Sequence, residues 1–178
     1  MATALSPADH LSEGLYGVGL VLAGSHDDGL ARARRALVLN SNSVTVLGPC
    51  GNVLTFCGDA TGANDLLERM LRLAPAHYFR SVFLARMALN WLQQGEPKRA
   101  LALVGEALKL KPEAICNHLT HARLMAAVGQ DKAADMAICA GLRLRPDIDQ
   151  RLIRAMFPYR DQSISEWLTS AVRRLAKA

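Results

Sequence analysis

The chain has 178 residues, 51% of them hydrophobic and only 5% aromatic, with a formal net charge of +5. That length can bury a real core, and an excess of Leu and Ala with few β-branched runs favours packed helices over sheets. The longest apolar stretch, Leu15 to Ala23, is too short to cross a bilayer, and Met1 to Pro7 shows no basic, signal-like leader, so a cytoplasmic chain with no membrane partner is expected.

The predicted helices, in chain order, are 8–23 and 27–39, 43–57 and 60–73, 77–93 and 96–109, 113–128 and 131–144. Two markers recur through them. Gly24, Gly58, Gly95 and Gly129 each follow the first helix of a pair, where a left-handed residue ends a helix at little cost. Ser41, Pro75, Pro112 and Pro146 each close the second helix, and proline there lacks the donor needed to continue it. Both series share the same three-residue surplus in the third unit. It falls near Ala76-His77-Tyr78-Phe79, so either the fifth helix starts early or its lead-in loop is long. Small residues recur where paired helices must approach: Gly17, Gly51, Ala88 and Ala122 in the first helices, and Gly29, Ala63, Ala100 and Ala134 in the second. Pro49 falls inside a first helix and should cost a hydrogen bond and bend it.

After Pro146 a short helix is predicted at 148–156, then a break at Phe157-Pro158-Tyr159-Arg160, then a final helix at 163–177. Ser163 and Glu166 have the spacing of a capping box, and Ile164, Trp167, Leu168, Ala171, Val172 and Leu175 form an apolar stripe. This tail reads as a cap over the open end of the fourth unit. The positive charge is concentrated here: eight basic residues from Arg143 onward face Asp147, Asp149, Asp161 and Glu166. Arg173, Arg174 and Lys177 suit the negative end of the last helix. No strip of interleaved aromatic and basic residues points to nucleic acid.

These markers resemble the tetratricopeptide repeat family over roughly residues 8–146. The third unit fits best, with Leu84, Met87-Ala88, Trp91, Ala100, Val104, Ala107 and Pro112. The second departs at Gly48-Pro49-Cys50-Gly51, the first has Ser41 for the closing proline, and the fourth has Gly141 for an alanine. The resemblance implies an all-α, right-handed superhelical solenoid of four repeats (8–41, 42–75, 76–112, 113–146) with a helical cap at 147–178. The longer third unit and the Phe157-Pro158-Tyr159-Arg160-Asp161 tail resemble the repeat region at the C-terminus of bacterial class III adenylate/guanylate cyclases and related signalling regulators. No cyclase catalytic segment is present. The resemblance therefore implies a non-enzymatic scaffold that binds a protein or peptide; the alternatives are a homo-oligomerisation module or a fragment of a larger cyclase-like enzyme.

In this family one face of the first helices lines a peptide groove. The matching positions here are Thr45, Asn52, Phe56, Val82, Arg86, Leu89, Gln93, Leu119 and Arg123, with the polar groups at 52, 86 and 123 placed to bond an extended peptide. The alternative is a solvated face, or one filled by the chain's own tail. The family's chaperone-tail clamp is not expected. Read from the first repeat, its positions hold Gly14, Val18, Pro49, Val82 and Arg86; read from the second, they hold Gly48, Asn52, Arg86, Cys116 and Thr120. Only one residue fits in each case.

The first helix is apolar almost all round, and Leu11, Leu15, Val18 and Leu22 make it a candidate self-association surface. A homodimer or an upstream segment would cover it. Cys116, His118 and His121 share a helix, but 118 and 121 match packing positions and no fourth ligand is in view, so no metal or other cofactor is expected. Cys50, Cys57, Cys116 and Cys139 form no Cys-x-x-Cys pair and read as reduced thiols. No catalytic motif or phosphate-binding loop is present.

Overall fold

The computed structural model describes the backbone from Pro7 to Ala176, with side chains from His10. Lys177, Ala178 and the segment before Pro7 lie outside the described residues. Every described element is helical. The chain divides into two compact units, one ending at His77 and one beginning at Tyr78.

The first unit holds α1 (Pro7–Leu22), α2 (His26–Leu39), α3 (Val44–Cys57) and α4 (Ala60–Leu73). α1 pairs with α2 and α3 with α4, while α3 also packs on both α1 and α2. The second unit repeats that scheme with α5 (Arg80–Gln93), α6 (Pro97–Leu110), α7 (Ile115–Ala127) and α8 (Asp131–Leu144). It continues into α9 (Gln150–Met156) and α10 (Ser163–Leu175), and α10 packs on α7, α8 and α9.

The four marker glycines behave as their spacing predicts. Gly24, Gly58, Gly95 and Gly129 have φ of 88°, 91°, 77° and 75°, in the left-handed region. The residue after each donates its amide to a carbonyl in the preceding helix: Ser25 to Leu20 at 2.8 Å, Asp59 to Leu54 at 3.0 Å, Glu96 to Trp91 at 2.9 Å and Gln130 to Met125 at 2.9 Å. This is the Schellman arrangement, which satisfies helix-end carbonyls while turning the chain back. Asp59 then caps α4, its Oδ1 accepting from the Gly62 amide at 2.9 Å.

Close approach explains the small residues. A Cβ added to Gly29 would lie 2.8 Å from the Gly17 carbonyl oxygen and 2.7 Å from Val21 Cγ2; one added to Gly51 would lie 2.6 Å from Leu67 Cδ2. Ala63, Ala88, Ala100, Ala122 and Ala134 are all buried.

Three local features take definite form. The surplus near 76–79 is a loop: α5 starts at Arg80, not at 77, and Tyr78 and Phe79 stand exposed with their rings edge to face at 5.0 Å. Pro49 lies within α3, as expected, near the helix start. The Ser163–Glu166 capping box does not form. The Asp161 carboxylate, two residues earlier, takes both the Ser163 amide (2.9 Å) and its hydroxyl (3.1 Å), which draws Ser163 into the helix and leaves Gln162 as its boundary residue.

Candidate functional site

The groove positions divide between the units. On α3, Thr45 is exposed and hydrogen-bonded to Ser43, Asn52 is half-buried with its Oδ1 unpaired, and Phe56 is buried. On α5 and α7, Leu89 and Leu119 are each only 1% exposed and belong to the core. Phe56, Leu89 and Leu119 are thus packing residues and cannot present side chains to a ligand as the structure stands. Val82 is half-buried and Gln93 exposed.

The α5/α7 face is filled by the chain itself. Between α9 and α10 the backbone leaves the helical conformation, and Phe157, Pro158 and Tyr159 are all buried. The Arg86 guanidinium carbon lies 5.6 Å from the centre of the Phe157 ring, and its charge lies near the Tyr159 phenol. Arg123 lies 5.7 Å from the Trp167 ring on α10. Burial pushes the Tyr159 phenol up to about 12, and the nearby Arg86 charge only partly offsets this. The Gln162 side chain donates to the Tyr159 carbonyl, fixing the bend into α10. A cleft of about 270 Å³ remains beside Tyr159, bordered by Gln93, Arg123, Asp161 and Ile164. Of the two arginines at expected groove positions, Arg86 therefore meets the chain's own segment between α9 and α10, and Arg123 meets α10.

The face of α1 is different. Gly14, Gly17 and Val21 are buried, but Leu11 is 38%, Leu15 54% and Leu22 54% exposed, with Val18 half-buried on the same stripe. Beside the stripe, Glu13 pairs with Arg32 at 3.0 Å and with Arg35 at 3.3 Å, and Arg32 lies 4.9 Å from the Tyr16 ring. This polar edge ties α1 to α2 and leaves the leucines facing outward.

The α7 cluster is held by local bonds. His118 Nε2 meets the Pro112 carbonyl at 2.6 Å, and Cys116 donates to Asn117 Oδ1 at 3.6 Å. Burial lowers the His121 imidazole, with the charge of His118 adding to the effect. Asn117 was missed in the sequence: fully buried, it donates to the Ala107 (3.0 Å) and Lys111 (3.2 Å) carbonyls and joins α7 to the end of α6. Among the described residues no group of three or more His, Cys, Asp and Glu is placed to share a metal ion. No described helix is long and apolar enough to cross a membrane.

The repeated pairing, the Schellman turns and the small-residue contacts have counterparts in solved structures. TTC0263, a thermophilic tetratricopeptide repeat protein of Thermus thermophilus, superposes with a TM-score of 0.70 at 16% identity, covering 94% of this chain and 90% of that one. The fold is a tetratricopeptide repeat fold. MamA MSR-1 superposes with a TM-score of 0.59 at 16% identity, over 94% of this chain and 95% of that one. Cut9 in the APC/C Cut9–Hcn1 hetero-tetramer gives 0.70 at 14% identity, over 93% of this chain and 30% of that one. No protein-family model and no curated protein sequence matches the chain.

Proposed function

We propose that this tetratricopeptide repeat chain is a non-enzymatic protein-interaction scaffold that engages its partner through the outward face of α1. The observation that carries this reading is the exposed stripe of Leu11, Leu15 and Leu22, with Val18 beside them. Apolar side chains aligned on one helix face are stabilised when a partner removes them from water, by about 25 cal/mol for each Å² buried. The α5/α7 face is a weaker candidate because Phe157 and Tyr159 already occupy it. Four repeats (8–41, 42–75, 76–112, 113–146) with a cap at 147–178 would then act as a cytoplasmic regulatory piece of a bacterial signalling protein. The Phe157-Pro158-Tyr159-Arg160-Asp161 tail favours the kind that carries such repeats in cyclases.

A second reading, homo-oligomerisation, rests on the same stripe, because a second copy would bring an identical one. Light scattering of the full chain across a wide concentration range separates the two. Growth in mass that is abolished by Leu15→Glu with Leu22→Glu supports the dimer. A monomer at every concentration, whose capture of a host protein is lost in that double variant, supports the scaffold. Capture unaffected by the double variant overturns the α1 reading.

A further inference from the structure

The excess positive charge of the C-terminal region has a specific location. Its acids are largely committed: Asp147 takes Arg145 through both oxygens (2.9 and 3.2 Å), Asp161 holds the start of α10, and Asp149 caps α9 by accepting from the Leu152 amide at 2.8 Å. Arg174 is matched by Asp135 of α8 at 2.5 Å. Arg173, by contrast, finds among the described residues only the neutral Gln150, at 2.7 Å. Arg151, Arg154 and Arg173 are all exposed, and they line one cleft of about 640 Å³ between α9 and α10. Its floor is apolar, formed by the buried Ile148, Ile153 and Val172. Asp149 is the one acidic residue in the described lining, against those three arginines.

We propose that the α9/α10 cleft docks an acidic, amphipathic segment of a partner protein. Its carboxylates pair with Arg151, Arg154 and Arg173 while an apolar side chain sits over Ile148, Ile153 and Val172. Guanidinium groups suit carboxylates because they offer two parallel donors, and Arg173 keeps donors to spare beyond its bond to Gln150. The apolar floor argues for a peptide over a flat anionic surface, which would meet the arginines but leave the floor uncovered. Charge complementarity at such a rim raises the association rate and makes it salt-sensitive.

The probe is a dye-labelled synthetic peptide of alternating Glu and Leu, titrated into the full chain and read by fluorescence anisotropy. Two companion peptides replace every Glu with Gln or every Leu with Ser. Saturable binding is expected for the Glu/Leu peptide, at least tenfold weaker with either companion and at least tenfold weaker in the Arg151→Glu, Arg154→Glu double variant. The variant Arg34→Glu, an exposed charge on α2, should bind normally. Circular dichroism confirms that both variants fold. No saturable binding to the native chain overturns the proposal, as does equal weakening by Arg34→Glu or indifference to the Leu-to-Ser change. Sedimentation with phosphatidylserine vesicles that requires Arg151 and Arg154, without binding of the Glu/Leu peptide, would assign the cleft to a membrane surface instead and equally overturn it.

Discussion

Arg86, in the middle of α5, stacks on Phe157, in the segment between α9 and α10, with 5.6 Å from the guanidinium carbon to the ring centre. The contact joins a repeat position to the tail, so the tail is part of the core of the second unit. Phe157 is 1% exposed. Replacing it with Ala removes its apolar burial and leaves a cavity, and should cost about 3–5 kcal/mol. Arg86→Ala loses the stacking and the packing of its stem and should cost less, about 1–2 kcal/mol. Val38→Ser, at a highly exposed site, should stay within about 0.5 kcal/mol of the parent. Urea midpoints rank the three. Equal midpoints for Phe157→Ala and Val38→Ser would mean that the tail is not packed on α5.

Tyr159 gives the same contact a pH signature. Its phenol ordinarily titrates near 10, and burial raises it to about 12 in the folded chain. The folded state therefore holds its proton more tightly than the unfolded state does. The stabilisation is complete below pH 10 and is lost as pH rises from 10 through about 12. A rise of that size is worth about 3 kcal/mol at most. Tyr159→Phe cannot ionise, so its stability should fall less steeply over that interval. The difference between the two chains' unfolding free energies, plotted against pH, isolates this residue from the other groups that titrate there. Parallel curves would place Tyr159 in water.

The repeat was legible in the sequence because its signals are local. A glycine at positive φ and a proline after a helix act on their own neighbours, so Gly58 or Pro112 reveals its role without knowledge of the fold. The same holds for the ends of α4 and α8, which fall where expected. The three-residue surplus was visible, but its conformation was not: nothing in Ala76-His77-Tyr78-Phe79 forbids a helix, and the loop is set by where α5 must begin to pack. The site was less legible. Arg86 and Arg123 stand at positions expected to line a groove, yet what fills the α5/α7 face depends on contacts with Phe157 and Trp167, far along the chain. Leu89, Leu119 and Phe56 looked like groove lining because repeat position alone does not distinguish a side chain at the surface from one just beneath it.

The glycines of this chain predict opposite responses to the same substitution. Gly29→Ala would press its new Cβ against the Gly17 carbonyl oxygen at 2.8 Å and Val21 Cγ2 at 2.7 Å. Because one of those neighbours is backbone, α1 and α2 must separate, at a cost of about 1–3 kcal/mol. Gly105→Ala, within α6, meets nothing within 4 Å and should gain up to about 1 kcal/mol from helix propensity. Thermal unfolding of the two variants should therefore bracket the parent. Stabilisation by Gly29→Ala would show that the α1/α2 contact is looser than described.

Cys50 should be the most protected thiol. Its side chain is wholly buried on α3, its Sγ donates to the Ala33 carbonyl at 3.4 Å, and burial pushes its titration up to about 12. The thiolate is the reactive species, so at mildly alkaline pH the folded chain presents almost none of it at this position. Cys57 and Cys139 are half-buried and should be alkylated first. Cys116 should follow more slowly, since burial raises its thiol and the nearby Arg86 charge opposes that only in part. Iodoacetamide labelling of the native chain, quantified peptide by peptide by mass spectrometry, should give that order, and urea should bring all four to similar rates. Labelling of Cys50 as fast as Cys139 in the folded chain would mean that α3 opens from α2 far more often than its packing implies.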